Sequence, residues 1–333
     1  MPTPPYPLHP SVVDRLDPQC KALYNEHIIH QQQVHYQPLE ASRASGVLLP
    51  GAGPLVPVGK TADHAIRRRE SAGPDVAARC FTPDGPAPAP GWPVLVYFPG
   101  GGWVIGNIDT ENAVATNICA RGRCVVVSVD FRLAPENPFP AAVDDAWEAV
   151  LWVLGPGEDT LHLDTSKMAV GGSSAGGNLA AVVCQRAAAR GSPVFRLQLQ
   201  SAPVLDNTAD TTNNASYAEN EHAPALPAAK MLWYRDLYLP DQRQRSHPEA
   251  SPLLWPGDWS ALPPAVIVLG ELDVLRHEGE LFGRKLADAG VRADVHVLKG
   301  QPHSFLATAG ALEDGRRAVT WFCDGMLSAM YGS

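Results

Sequence analysis

Apolar residues fall along the chain in short runs separated by longer mixed stretches. Residues 94–98 (VLVYF) form a continuous apolar run of strand length, rich in β-branched and aromatic side chains. Residues 124–129 (CVVVSV), 167–171 (KMAVG), 265–269 (AVIVL) and 295–298 (VHVL) read the same way, and 195–200 (FRLQLQ) is a weaker case. Between them lie helical patterns, clearest at 141–154 and 175–190. Strands alternating with helices of this length predict βαβ units and a mostly parallel central sheet flanked by helices, an α/β fold. Upstream, 64–69 and 76–81 predict an antiparallel pair leading into the sheet.

Two stretches break the alternation. Residues 1–45 read as short helices, best defined over 12–24. Residues 206–250 read as a polar loop followed by a helix carrying Met231, Leu232, Trp233, Tyr234 and Leu237. Loops beyond about 15 residues are usually functional or disordered. Both stretches are therefore expected to form a helical cap over a core built from 46–205 and 251–333.

Composition narrows the class. Of 333 residues, 45% are hydrophobic and 18% charged, which excludes a disordered chain. The formal charge of −9 speaks against sequence-independent nucleic-acid binding, which depends on Lys and Arg neutralising phosphates. Six cysteines without a CxxC pair offer neither a zinc ribbon nor a thioredoxin-like site, and are expected to be reduced and mostly buried. The first residues lack a basic segment followed by an apolar one, and no apolar run is long enough to span a bilayer, so a cytoplasmic protein is expected.

The chemistry concentrates after the strands. Gly172-Ser173-Ser174-Ala175-Gly176 follows one strand and opens a helix, the setting of a G-x-S-x-G nucleophile elbow. Only Ser174 has glycine at both −2 and +2, so Ser174 rather than Ser173 is the candidate nucleophile. The motif alone is weak, since glycine-rich turns after strands are common; a phosphate loop would need a lysine that is missing here. A serine needs a base, and the base an orienting acid. Five histidines follow: His222, His247, His277, His296 and His303. His303 lies just past the last strand, and the loop after the preceding strand offers Asp273, with Glu271 as the alternative. Gly100-Gly101-Gly102 after the first long strand would bring backbone amides to a developing oxyanion, with Gly100, Gly101 and Ala175 as donors.

These segments carry a resemblance. PGGGW at 99–103, GSSAGGN at 172–178, VDFRLAPENPFPAA at 129–142, DVLR at 273–276 and HSF at 303–305 resemble, in order, the HGGG, GDSAGGN, VDYRLAPEHPFPAA, DPLRD and HGF blocks of the hormone-sensitive-lipase-like family of α/β-hydrolase esterases. The likeness runs from about residue 60 to the C-terminus. It implies an α/β-hydrolase fold with a cap from the N-terminus and the later insert, and a serine carboxylesterase using Ser174, His303 and Asp273. Small to medium hydrophobic acyl esters are the expected substrates, and no metal or organic cofactor is implied. The sequence departs from the family at Pro99 for the loop histidine, Ser173 for the aspartate beside the nucleophile, and His277 for the second aspartate after Asp273. Lactone opening, amide cleavage or acyl transfer would use the same acyl-enzyme; a ligand-binding protein on this scaffold would instead expect a damaged triad.

Smaller features complete the reading. Asp130 and Arg132 are expected to pair beneath the site. His27 and His30, with His35 nearby, lack the carboxylate or cysteine partners of a metal site. Trp233, Tyr234 and Tyr238 either pack the cap or line an acyl pocket, and Trp103 is a further pocket candidate. An open sheet edge or the last helix could pair two copies into a homodimer.

Overall fold

The computed structural model describes residues 5–45 and 50–332. The expected boundary between the first cap segment and the core, at 45/46, therefore borders on positions outside the described residues.

An eight-stranded sheet runs in the order β1-β2-β4-β3-β5-β6-β7-β8. Its strands are β1 Lys60–Ile66, β2 Val76–Thr82, β3 Trp92–Phe98, β4 Val125–Asp130, β5 Leu163–Ser173, β6 Phe195–Ser201, β7 Ala265–Leu272 and β8 Ala293–Pro302. The pairs β1–β2 and β2–β4 are antiparallel and all the others parallel, as the sequence pattern predicts. Among the helices are α1 Pro10–Val13, α2 Pro18–Leu23, α3 Leu39–Ser45, α4 Asn112–Gly122, α5 Ala141–Val153, α6 Pro156–Leu161, α7 Ala175–Ala189, α8 Ala215–Glu219, α9 Ala228–Tyr238, α10 Arg276–Asp288 and α11 Glu313–Tyr331.

The apolar strands are apolar because both faces of the sheet are covered. On β3, Val94, Val96 and Phe98 enter a core shared with α5, α7 and α10, while Leu95 and Tyr97 enter a second core shared with α4 and α11. Side chains alternate across a strand, so a strand buried on both faces reads as a near-continuous apolar run. The six cysteines are all free and buried, and burial holds their thiols well above their ordinary range.

Three local expectations are corrected. The 12–24 segment is two helices, because Pro18 lacks an amide and starts α2 afresh, with Asp17 accepting from the amides of Gln19 and Cys20 at 2.8 and 3.3 Å. The first strand ends at Ile66, and the backbone beyond it turns its amides from Arg69 to Ser71 onto the buried carboxylate of Glu148. Arg132 pairs with Asp145 on α5 rather than with Asp130. The buried Asp145 carboxylate collects the Arg132 amide at 2.7 Å, its guanidinium at 2.9 Å and Arg68 at 2.5 Å, which offsets its desolvation with several donors.

The 206–250 insert leaves and rejoins the core at one place. The Asn207 amide donates to Ser251 Oγ at 2.7 Å, and its side chain donates to the Ala250 carbonyl at 2.6 Å. Asn178 on α7, fully buried, bridges the carbonyls of Val204 and Ala250 at 2.9 and 3.0 Å. The N-terminal segment meets the insert directly: Arg15 reaches the Glu219 carbonyl and the Asn220 side chain at 3.2 and 3.0 Å, and the His9 and His222 rings lie 4.0 Å apart. β8 forms one edge of the sheet, with Val295 and Val297 exposed on it. No helix among the described residues is long and apolar enough to cross a membrane.

Candidate active site

Ser174 sits between β5 and α7 with φ 55° and ψ −117°, outside the regions an L-residue ordinarily occupies. The strain is held by packing so tight that only glycine fits beside it. A Cβ on Gly176 would lie 1.8 Å from the Phe98 carbonyl oxygen, and one on Gly172 would lie 2.3 Å from the Gly176 backbone. This sharp turn points the Ser174 hydroxyl above the strand ends, at the N-terminus of a 15-residue helix.

His303, just beyond β8, places Nε2 2.9 Å from Ser174 Oγ and Nδ1 2.7 Å from Asp273 Oδ2. A buried carboxylate accepts, so Nδ1 carries the proton toward Asp273 and Nε2 is left to accept from the serine hydroxyl. Asp273 is almost wholly buried, and its other oxygen accepts from the Leu275 amide at 3.0 Å. The insert braces the same loop. Asn220 donates to the carbonyls of Glu271 and Asp273 at 3.2 and 3.1 Å, and Ser216 Oγ donates to the Val274 carbonyl at 2.6 Å.

The competing candidates lie elsewhere. Glu271 accepts from the Gly300 amide at 2.7 Å, holding the end of β8. His296 stacks on Trp321 at 3.9 Å, His247 lies against Phe139, and the His277 amide donates to Ser216 Oγ. Ser173 turns toward the glycine loop, where its hydroxyl bonds Glu111.

Glu111 is the residue that the sequence reading missed. It occupies a left-handed conformation (φ 59°) at the start of α4 and accepts from Tyr97 Oη at 2.9 Å and the Gly100 amide at 3.2 Å. Burial raises its pKa, opposed by those donors and by nearby His303. The expected oxyanion donor Gly100 is corrected accordingly, because its amide is committed to this carboxylate. The amides of Gly101, Gly102 and Ala175 have no acceptor among the described residues and remain available. Gly102 is pressed against the helix above: a Cβ there would lie 2.3 Å from the Tyr234 ring. The only hint in the sequence was the loss of the aspartate beside the nucleophile, and nothing in the spacing pointed to position 111.

A cavity of about 820 Å³ opens onto Ser174 and His303. Val34, Leu55, Ile105, Leu226 and Tyr234 contribute to its wall, together with Glu111 and Lys230. Of the three expected pocket residues, Tyr234 is on the cavity wall, whereas Trp103 and Trp233 do not line it. Trp103 is fully buried and stacked on Tyr238 at 4.2 Å, while Trp233 packs against the core with its ring 5.0 Å from that of Tyr234. Two aromatic residues adjacent on a helix point about 100° apart, so Trp233 and Tyr234 cannot share one face. Among the described residues no group of three metal-ligating side chains occurs, His27, His30 and His35 included.

A serine on a strained strand-to-helix turn, facing a histidine and a buried acid above a mostly parallel sheet, defines the α/β-hydrolase class. A family model described as alpha/beta hydrolase fold matches residues 95–307, and the chain belongs to that family. It is similar to an AB hydrolase superfamily protein of Schizosaccharomyces pombe, 44% identical over 317 residues and 93% of each chain. A carboxylesterase of Mycobacterium tuberculosis is 39% identical over 236 residues, 70% of this chain and 72% of that one. The solved structure of an esterase from Pyrobaculum calidifontis superposes with a TM-score of 0.83 at 34% identity, over 94% of this chain and 98% of the other.

Proposed function

We propose that this protein is a carboxylic-ester hydrolase of the hormone-sensitive-lipase-like group, acting on small to medium hydrophobic acyl esters. The observation that carries the reading is the unbroken hydrogen-bonded chain from Ser174 through His303 to Asp273. In this reading, Ser174 Oγ attacks the ester carbonyl as His303 Nε2 takes its proton. Asp273 keeps the imidazole oriented and balances the imidazolium that forms. The amides of Gly101, Gly102 and Ala175 receive the oxyanion. His303 then protonates the departing alcohol and activates the water that releases the acid. The described residues of 1–45, together with 206–250, form the cap in this reading; their mutual contacts, and the closely stitched ends of the second segment, support that division.

The test uses p-nitrophenyl esters from acetate to decanoate. Wild type should turn over the shorter members, and Ser174→Ala should abolish that turnover. Asp273→Asn should fall by roughly 10⁴ in kcat, because the amide favours the wrong histidine tautomer. Ester turnover that survives Ser174→Ala would overturn the assignment.

A further inference from the structure

Lys230 lies in the first turns of α9, one helical turn before Tyr234, and lines the cavity that holds Ser174 and His303. Its ammonium donates to the Ala225 carbonyl at 2.8 Å and sits 6.0 Å from the centre of the Tyr234 ring. An ammonium has three N–H groups, and that one bond leaves two unused. Burial lowers its pKa to about 8, with no carboxylate acting against the shift. The two carboxylates on the cavity wall are already engaged. Asp109 pairs with Arg79 at 2.5 Å, and Glu111 holds Tyr97 and Gly100. Lys230 therefore stands on the cavity wall without a carboxylate paired to it, beside the apolar side chains of Val34, Leu226 and Ile105.

A charge in such a place is unfavourable unless an opposite charge meets it. Neither carboxylate of the cavity wall pairs with Lys230 among the described residues, and a substrate carboxylate can. A single ammonium beside an aromatic ring suits a carboxylate better than a phosphate, which is usually met by arginine forks or several donors together. We infer that the cavity accepts esters whose acyl or alcohol part carries a carboxylate, held by Lys230. This rests on the esterase reading above and narrows its substrate class.

The experiment compares kcat/KM within two matched pairs. Mono-p-nitrophenyl adipate against p-nitrophenyl hexanoate places the charge on the acyl side. 4-Acetoxybenzoate against 4-methylphenyl acetate places it on the alcohol side. Wild type should favour the charged member of at least one pair by roughly tenfold or more, the scale of a charge-assisted hydrogen bond in a dry site. Lys230→Met should collapse that ratio, Lys230→Glu should invert it and Lys230→Arg should keep most of it. A wild-type ratio at or below one in both pairs would overturn the inference, and that measurement needs no variant to fold. An unchanged ratio in Lys230→Met would overturn it too. Inactivity toward all four esters would instead remove the hydrolase reading and the inference with it.

Discussion

Glu111 holds backbone angles that few side chains adopt, and places a carboxylate between the glycine loop and the strand that supports it. Such strain persists only where the surroundings over-determine it. Here the surroundings are Tyr97, Gly100 and Ser173, which all bond the Glu111 carboxylate. Glu111 therefore serves as a positioning residue for the loop rather than a reacting group. Glu111→Ala should lower kcat about tenfold with KM little changed, less than the 10²–10³ expected for losing an oxyanion donor outright. Glu111→Gln, which can still accept both bonds, should recover part of the loss. Steady-state kinetics on one short ester would show both. Because burial raises the Glu111 pKa, protonation begins above the ordinary carboxylate range. The activity of wild type should therefore decline toward acid earlier than that of Glu111→Gln.

At the scale of elements, the acid loop and the insert form one mechanical unit. The side chains of Ser216 and Asn220, on and just after α8, hold three carbonyls around Asp273, so the position of the acid depends on a segment distant in sequence. Asn220→Ala should reduce kcat severalfold and leave the thermal midpoint within a few degrees, a split measured by kinetics beside a melting curve. This coupling also explains what the sequence could reveal. β3, β4 and β7 were legible because burial on both faces makes most of each strand a continuous apolar run. Ser174, Asp273 and His303 were legible because each follows its own strand. The partner of Arg132 was not, since Asp145 lies 13 residues away on α5 and pairing there is a property of packing. Trp103 misled for a related reason: its place beside the glycines suggested a pocket wall, whereas the turn carries its ring down onto Tyr238.

For the whole molecule, pH acts through the half-buried His35, where the N-terminal segment meets α9. Burial, aided by Lys230, lowers its pKa from the ordinary 6.5 to about 4. The unfolded chain then binds a proton that the folded protein refuses. The contribution of this residue is constant above about pH 6.5 and falls as pH drops toward 4, by at most about 3 kcal/mol and by less once solvent screening of the half-exposed ring is counted. Urea unfolding across that window should show a shallower decline in His35→Gln. The open edge of β8, with Val295 and Val297 exposed, gives a test of the homodimer expected from the sequence: if copies pair there, lysine at both positions should convert a sedimenting dimer to monomer without loss of secondary structure.

The six enclosed thiols give the molecule a built-in clock. Chemically they are silent in the native state, being both protonated and shut away from reagents. A maleimide can therefore reach them only during excursions that open the two cores. Its labelling rate, followed at each cysteine, would measure how often this scaffold breathes.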